Sequence, residues 1–407
     1  MKSKLIMLAC LVLVMGCNDD ESTSRVYQFF PAVATEGSTV VIMGKNFDPQ
    51  SENNMVRING LEAEVLHAIP SHLYIKVPAG ASTGPITIST GKGNVKSTTD
   101  LEIVEGNGTW TQKSDFPGGY RNRPIGFSHE GFGYVGFGQN DDHENINDFW
   151  KYNPVSNTWT SLPAPELELP PDNTSFEASG SFVTGDDAFV VFTAIPWSSR
   201  VVMKYSFANN EWTEFEDAAS NNWSDWPNGV RATETNGIIA FASFNGNVGA
   251  KTLSVYNAAI NEWSASSTFP GNASAYNPAI MGSQIFFWET LGPPNPILWI
   301  YTSSTNTWSS QVVTNYQGSV TEFPSTFSLD GALYYVGGTV RLLPLSGDIG
   351  VGDGYTYNPS TKQWGTLAVS PLNGIGISFT IGAKAYVAFG YSGTSGETNA
   401  HVYEFTP

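Results

Sequence analysis

The stretch Tyr152-Asn153-Pro154-Val155-Ser156-Asn157-Thr158-Trp159 decides the fold, because the chain repeats its outline. A Tyr is followed seven places later by a Trp here and at Tyr205…Trp212, Tyr256…Trp263, Tyr301…Trp308 and Tyr357…Trp364 (159 − 152, 212 − 205, 263 − 256, 308 − 301 and 364 − 357 all equal 7). Turn formers such as Asn-Pro-Val-Ser-Asn or Asn-Pro-Ser-Thr-Lys separate the two rings. A ring closing one strand, a tight turn and a ring opening the next is the signature of a β-hairpin. Successive Trp residues are 53, 51, 45 and 56 positions apart (212 − 159, 263 − 212, 308 − 263, 364 − 308). A period near fifty built from strands predicts a propeller and excludes a helical solenoid.

The outer members of the series predict how the ring closes. Tyr403 would place its Trp at position 410 (403 + 7), past Pro407, whereas Trp110 stands 49 places before Trp159 (159 − 110) with no Tyr of its own. The strand around Trp110 is therefore expected beside the strand of Tyr403, completing a sixth blade and removing open sheet edges.

Residues 1–16 read as a signal peptide: Lys2 and Lys4 precede the apolar run Leu5–Met15, which is too short to span a bilayer. Val14-Met15-Gly16-Cys17 resembles a lipobox, which implies acylation of Cys17 and a lipidated tether over 17–25; an ordinary cleaved signal with an incidental Cys is the alternative. Asn18-Asp19-Asp20-Glu21 resembles the surface-export signal of Bacteroidetes-type lipoproteins, so a lipid-anchored, surface-exposed place in the outer membrane is expected, with the membrane as a partner through the lipid. The whole chain has 19 basic and 37 acidic residues. Removal of Lys2 and Lys4 leaves 17 − 37 = −20, a balance that excludes nucleic acid as a partner. With Cys10 also removed, Cys17 stands alone and no internal disulfide is available.

Residues 26–104 carry short alternating strands: Gly37–Phe47, Val56–Gly60, Ala63–Val65, Leu73–Pro78 and Gly84–Thr90. This pattern predicts an antiparallel sandwich. The order Gly-x-x-Val-x-Ile-x-Gly-x-Asn-Phe, Val-x-Ile-Asn-Gly, Val-Pro-Ala-Gly-Ala-x-x-Gly resembles the IPT/TIG immunoglobulin-like family, which implies a spacing or docking module and no catalysis. Glu105-Gly106-Asn107-Gly108 is expected to be a flexible joint.

Residues 107–407 are expected to form the ring. Tyr335-Val336-Gly337-Gly338 followed by Tyr357…Trp364 resembles kelch repeats, although Thr193-Ala194, Ala242-Ser243 and Trp288-Glu289 stand where the middle blades should carry paired glycines. The expected fold is thus all-β, an immunoglobulin-like IPT/TIG sandwich followed by a six-bladed kelch β-propeller. Within each blade the second-to-third loop and the loop to the next blade open on one face. Those loops are long at 139–148, 194–200, 244–251, 289–297 and 340–353 within blades, and at 162–176, 215–230 and 312–323 between them. Long loops on one rim of a rigid scaffold are where binding usually resides.

Two candidate sites are expected, one in the long loops of that rim and one at the mouth of the central channel. Trp197, Trp223, Trp226 and Trp288 fall in or beside the long loops, and Asn221-Asn222-Trp223-Ser224-Asp225-Trp226 surrounds indoles with amides and a carboxylate. Such a group suits a sugar, whose apolar face stacks on a ring while polar side chains take its hydroxyls; half-buried caps between blades are the alternative. Arg121, Arg123, Glu177, Arg231, Tyr276 and Glu322 sit at the starts of inner strands. They would clamp an acidic sugar, or simply pair with one another around a water-filled channel. Metal is not expected, since the five His residues are scattered and Gln139–Asn145 reads as a solvated acidic loop before a calcium site. No cofactor is expected: a ring without Cys lacks what galactose-oxidase-like copper enzymes need, and no Gly-x-Ser-x-Gly elbow, P-loop or dinucleotide fingerprint occurs. The expected function is non-catalytic glycan binding on the long-loop face. The alternatives are a sugar mutarotase or epimerase resembling the kelch-type sialic-acid epimerases, and a scaffold for a partner protein in the outer membrane.

Overall fold

The structure, a computed structural model, describes residues 23–167, 175–195, 200–215, 230–235, 238–244, 251–257, 262–271, 279–289, 297–313, 324–341, 348–374, 376–390 and 398–407. Strands dominate them, and they contain no α-helix. Cys17, Trp197, Trp223, Trp226, Tyr276 and Glu322 lie outside the described residues.

The N-terminal sandwich is built from alternation. Along Thr39–Lys45, Val40 and Ile42 are fully buried while Val41, Met43 and Lys45 are partly exposed. Val56, Ile58, Leu73, Ile75, Ile86, Ile88 and Leu101 meet Val40 and Ile42 in one core, with Phe47 packed beneath. Arg25–Phe30 pairs antiparallel with Thr39–Lys45, which pairs in turn with His72–Lys76.

Among the described residues the ring has six four-stranded blades. Their inner strands are Ile125–His129, Ser175–Thr184, Val230–Thr235, Ala279–Met281, Ser325–Leu329 and Ile377–Ile381. Each packs beside the next, and the sixth returns to the first. Blades two and three fuse into one eight-stranded sheet through the parallel pairs Gly180↔Val230 and Ser181↔Arg231. Closure occurs as the sequence predicts: Thr109–Gln112 is the outer strand of blade six, antiparallel to Val402–Thr406. One detail differs. Phe405, not Tyr403, lies opposite Trp110, with ring centroids 4.8 Å apart. Any large apolar ring fills that place, so counting from Tyr alone misses the register by two.

The seven-residue spacing is now explained physically. In five blades the Tyr and Trp are direct cross-strand partners: Tyr152↔Trp159, Tyr205↔Trp212, Tyr256↔Trp263, Tyr301↔Trp308 and Tyr357↔Trp364. The turn between them needs a residue in the left-handed region, taken by Asn157, Asn210 and Asn306 (φ 53, 55 and 52), a role Asn fills at low cost. The same Asn side chain accepts the tyrosine O–H: Tyr152 to Asn157 Oδ1 (2.8 Å), Tyr205 to Asn210 (2.9 Å) and Tyr301 to Asn306 (3.0 Å). In blade five Lys362 takes the turn position, and Gln311 Nε2 of blade four bonds the Tyr357 hydroxyl instead. The indoles join neighbouring blades: Nε1–H of Trp110, Trp159 and Trp212 donates to the carbonyls of Ala368, Ser114 and Pro163, each just past the outer strand of the preceding blade.

The irregular middle blades also have a reason. Gly337 and Gly338 (φ 70 and 95) turn the chain out of the second strand of blade five after Ala332–Val336. Thr193-Ala194, Ala242-Ser243 and Trp288-Glu289 cannot turn so easily. The second strands of blades two to four run on through them, as Asp187–Ile195, Ile238–Phe244 and Gln284–Glu289.

Two expectations are corrected where the domains meet. The joint is not a free hinge: Asn107 N–H donates to Thr366 O (2.9 Å) and Asn107 O accepts from Ala368 N–H (2.9 Å). Gly106 lies so close to Ala368 that a Cβ would stand 2.4 Å from its nitrogen. The blade-five loop 340–353 is not open rim either. Its strands Thr339–Arg341 and Asp348–Gly350 form a hairpin, and Val340 and Val351 bury against Tyr74 of the sandwich, with Val41, Leu66 and Ile349 around them. Asp353 then reaches across to Thr39, whose N–H donates to Oδ1 at 3.0 Å. Loop length here serves domain docking.

Candidate functional site

Among the described residues of the long-loop face, the segment Arg121-Asn122-Arg123 gathers the sequence candidates. Phe116 packs beneath it in contact with Trp150, Trp159 and Phe389. Arg121, one of the sequence candidates, turns inward. Its guanidinium is buried, lies 5.6 Å from the Phe116 ring centre and bonds Asp148 Oδ2 at 2.6 Å. Trp150 Nε1–H donates to the same oxygen (3.0 Å). Arg121 is therefore an anchor, and the loop end Asp148 is fixed with it. Asn122 and Gln139 exchange two backbone hydrogen bonds, each 2.8 Å. The segment is thus held on both sides before it reaches Arg123.

Arg123 has φ 52, a left-handed conformation that is uncommon for a residue with a Cβ. This turn directs its side chain outward to the adjacent blade. Nη1 meets Glu177 Oε1 at 2.8 Å; the arginine side chain is 62% exposed and the glutamate 9%. Glu177 is the third residue of the inner strand of blade two, so it stands at the end of the channel onto which the long loops open. The strain of the left-handed residue and the burial of the carboxylate both serve one result: a solvent-facing guanidinium held by a nearly buried anion. Only one of the five guanidinium N–H donors needs to serve Glu177, which leaves donors in the planar fork that matches a carboxylate.

Of the other candidates, Arg231 lies on the inner strand of blade three, opposite Ser181, and Trp288 lies on the second strand of blade four, opposite Leu298. The oxygen-rich loop satisfies itself: Asn140 Oδ1 accepts N–H groups of Asp142 and Glu144, and Asn140 Nδ2 donates to Glu144 Oε2. Asp141 Oδ2 accepts from Thr398 of blade six. Glu404 is another buried carboxylate, but a structural one. Lys384 Nζ (2.7 Å) and Lys113 Nζ (3.2 Å) flank it, and the Tyr386 hydroxyl donates to it at 2.6 Å. Burial alone would raise its pKa, yet these bonds hold it below the usual range.

The IPT/TIG domain model matches residues 24–103, and the kelch motif model matches residues 137–166, across the last two strands of blade one, Phe149–Asn153 and Thr158–Leu162. An N-acetylneuraminate epimerase of Pasteurella multocida (strain Pm70) is 39% identical over 93 residues, 22% of this chain and 24% of that protein. One of Haemophilus influenzae (strain PittEE) is 36% identical over 94 residues, 22% of this chain and 25% of the relative. The chain thus matches about a quarter of the length of these relatives. A protein of unknown function from Bacteroides thetaiotaomicron superposes over 94% of this chain and 98% of its own, with 11% identity and a TM-score of 0.48. The chain carries an IPT/TIG domain followed by a kelch-type β-propeller.

Proposed function

We propose that the protein binds a carboxylate-bearing sugar at the long-loop mouth of the propeller, without catalysis, and that Arg123 receives the carboxylate. The observation that carries this reading is the exposed Arg123 guanidinium held 2.8 Å from the buried Glu177. A chain of formal charge −18 repels anions as a whole, so an acidic ligand needs a local cation built for it. The partial match to proteins named N-acetylneuraminate epimerase supports a sugar of that charge. Indoles of the rim, Trp223 and Trp226 first, would stack on the sugar ring. In this proposal Cys17 carries the lipid that holds the protein on the outer membrane.

Isothermal titration with N-acetylneuraminate and with neutral N-acetylmannosamine tests it. Wild-type protein should bind the acid at least tenfold more tightly, and Glu177→Gln, which loosens the guanidinium, should narrow that gap. Equal affinity for both sugars would remove the carboxylate from the claim. A second reading, anomer interconversion of the same sugar, is favoured by a carboxylate that could take the proton of the anomeric hydroxyl beside a guanidinium that would orient the sugar. It predicts faster equilibration of anomers by proton NMR, abolished in Glu177→Gln; equilibration at the buffer rate rejects it.

A further inference from the structure

The opposite face of the ring carries a group of side chains that the proposed sugar site does not use. His129 ends the inner strand of blade one, and Glu130 follows it in the tight turn to Phe132–Gly136. Asp186 occupies the corresponding turn of blade two, between Ser175–Thr184 and Asp187–Ile195. A ring nitrogen of His129 and one carboxylate oxygen each from Glu130 and Asp186 lie within 4.8 Å of one another. The imidazole is fixed: it stacks on Phe207 of blade two with centroids 3.8 Å apart and planes 7° from parallel. The Phe207 N–H in turn donates to Asp186 O (3.2 Å). One residue, Phe207, therefore holds the histidine with its ring and the aspartate backbone with its own N–H.

We propose that His129, Glu130 and Asp186 form a binding site for a divalent transition-metal ion, with zinc as the representative, joining blades one and two. One imidazole and two carboxylates are a mixed nitrogen and oxygen set, which zinc accepts and which neutralises its charge. Calcium and magnesium take oxygen donors and make no use of the imidazole. Zinc bonds to these donors of about 2.0–2.2 Å place tetrahedral ligands about 3.3–3.6 Å apart. Glu130 and Asp186 are both exposed and sit in turns, so their carboxylates close the remaining gap by small rotations. Three protein ligands leave one position for water. Spacing along the chain conceals this set, because Asp186 lies 57 residues beyond His129 (186 − 129).

The test uses the full chain after dialysis against chelator, titrated with zinc chloride by calorimetry and with cobalt(II) by visible absorption. Wild-type protein should bind one equivalent of zinc, and cobalt should give the absorption bands of a nitrogen- and oxygen-ligated ion. His129→Phe keeps an aromatic ring on Phe207 but offers no ligand, and Asp186→Asn keeps its backbone contact. Each should weaken zinc at least tenfold while the metal-free thermal midpoint stays within a degree or two of wild type. Absent binding, unchanged binding in both variants, or calcium binding as tight as zinc would each overturn the proposal.

Discussion

Replacing Asp353 by Asn should make the docked domains more stable at neutral pH and leave them unchanged in acid. Asp353 sits between the sandwich and blade five, 2% exposed. Burial pushes its pKa from 3.8 up to about 7, against the opposing pull of the Thr39 N–H and the Ser38 hydroxyl. A carboxyl held that far above its unfolded value is protonated in the native state where the unfolded chain has already ionised. Its contribution is full below about pH 4 and is lost as pH rises to about 7, after which it is constant. The difference between the two values corresponds to roughly 4 kcal/mol as an upper bound. Asn keeps an acceptor for Thr39 and never ionises. The assay is urea unfolding of both proteins at intervals from pH 4 to 8, followed by exchange of the Thr39 amide. The variant should match wild type near pH 4, gain on it as pH rises to about 7, by up to about 4 kcal/mol, and keep that lead unchanged to pH 8. Because other carboxylates titrate equally in both proteins, only the difference matters. A difference independent of pH, or an Asn variant weaker at pH 8, refutes the reasoning.

Trp159→Phe removes the indole N–H that holds Ser114 O at 3.0 Å and trims the ring packed on Tyr152, so it should cost about 1–3 kcal/mol in chemical denaturation. Gly106→Ala forces a Cβ against the Ala368 backbone; protease cleavage near residue 106 should become faster than in wild type, while the isolated spectra of the two domains stay the same. If Cys17 carries the lipid proposed above, the full chain expressed in a bacterium should label with palmitate and sit in the membrane fraction, and Cys17→Ser should abolish the label and release the protein; continued membrane retention of the variant would reject the lipid anchor.

The ring was legible because its signal is local. Tyr152 and Trp159 are seven apart and face each other across one hairpin, and Asn157 serves both the turn and the hydroxyl. Closure through Trp110 followed from counting, although the count settled on Tyr403 where Phe405 does the packing. What sequence concealed was contact between distant segments. The blade-five loop looked like binding surface until Tyr74 and Thr39, far earlier in the chain, were found against it. Arg121 and Arg123, two residues apart and alike in chemistry, point to opposite fates, one buried on Asp148 and one exposed on Glu177. Only the left-handed turn at Arg123 separates them, and no residue type announces that turn.

The central claim is that an exposed guanidinium on a buried carboxylate recognises an acidic sugar. Its most direct test is the affinity of Arg123→Ala for N-acetylneuraminate, measured by saturation-transfer NMR competition beside its unfolding midpoint. The account predicts at least a tenfold loss of affinity by a variant that remains folded, its midpoint lowered only by the loss of one partner to the nearly buried Glu177. Undiminished binding by the folded variant would contradict it.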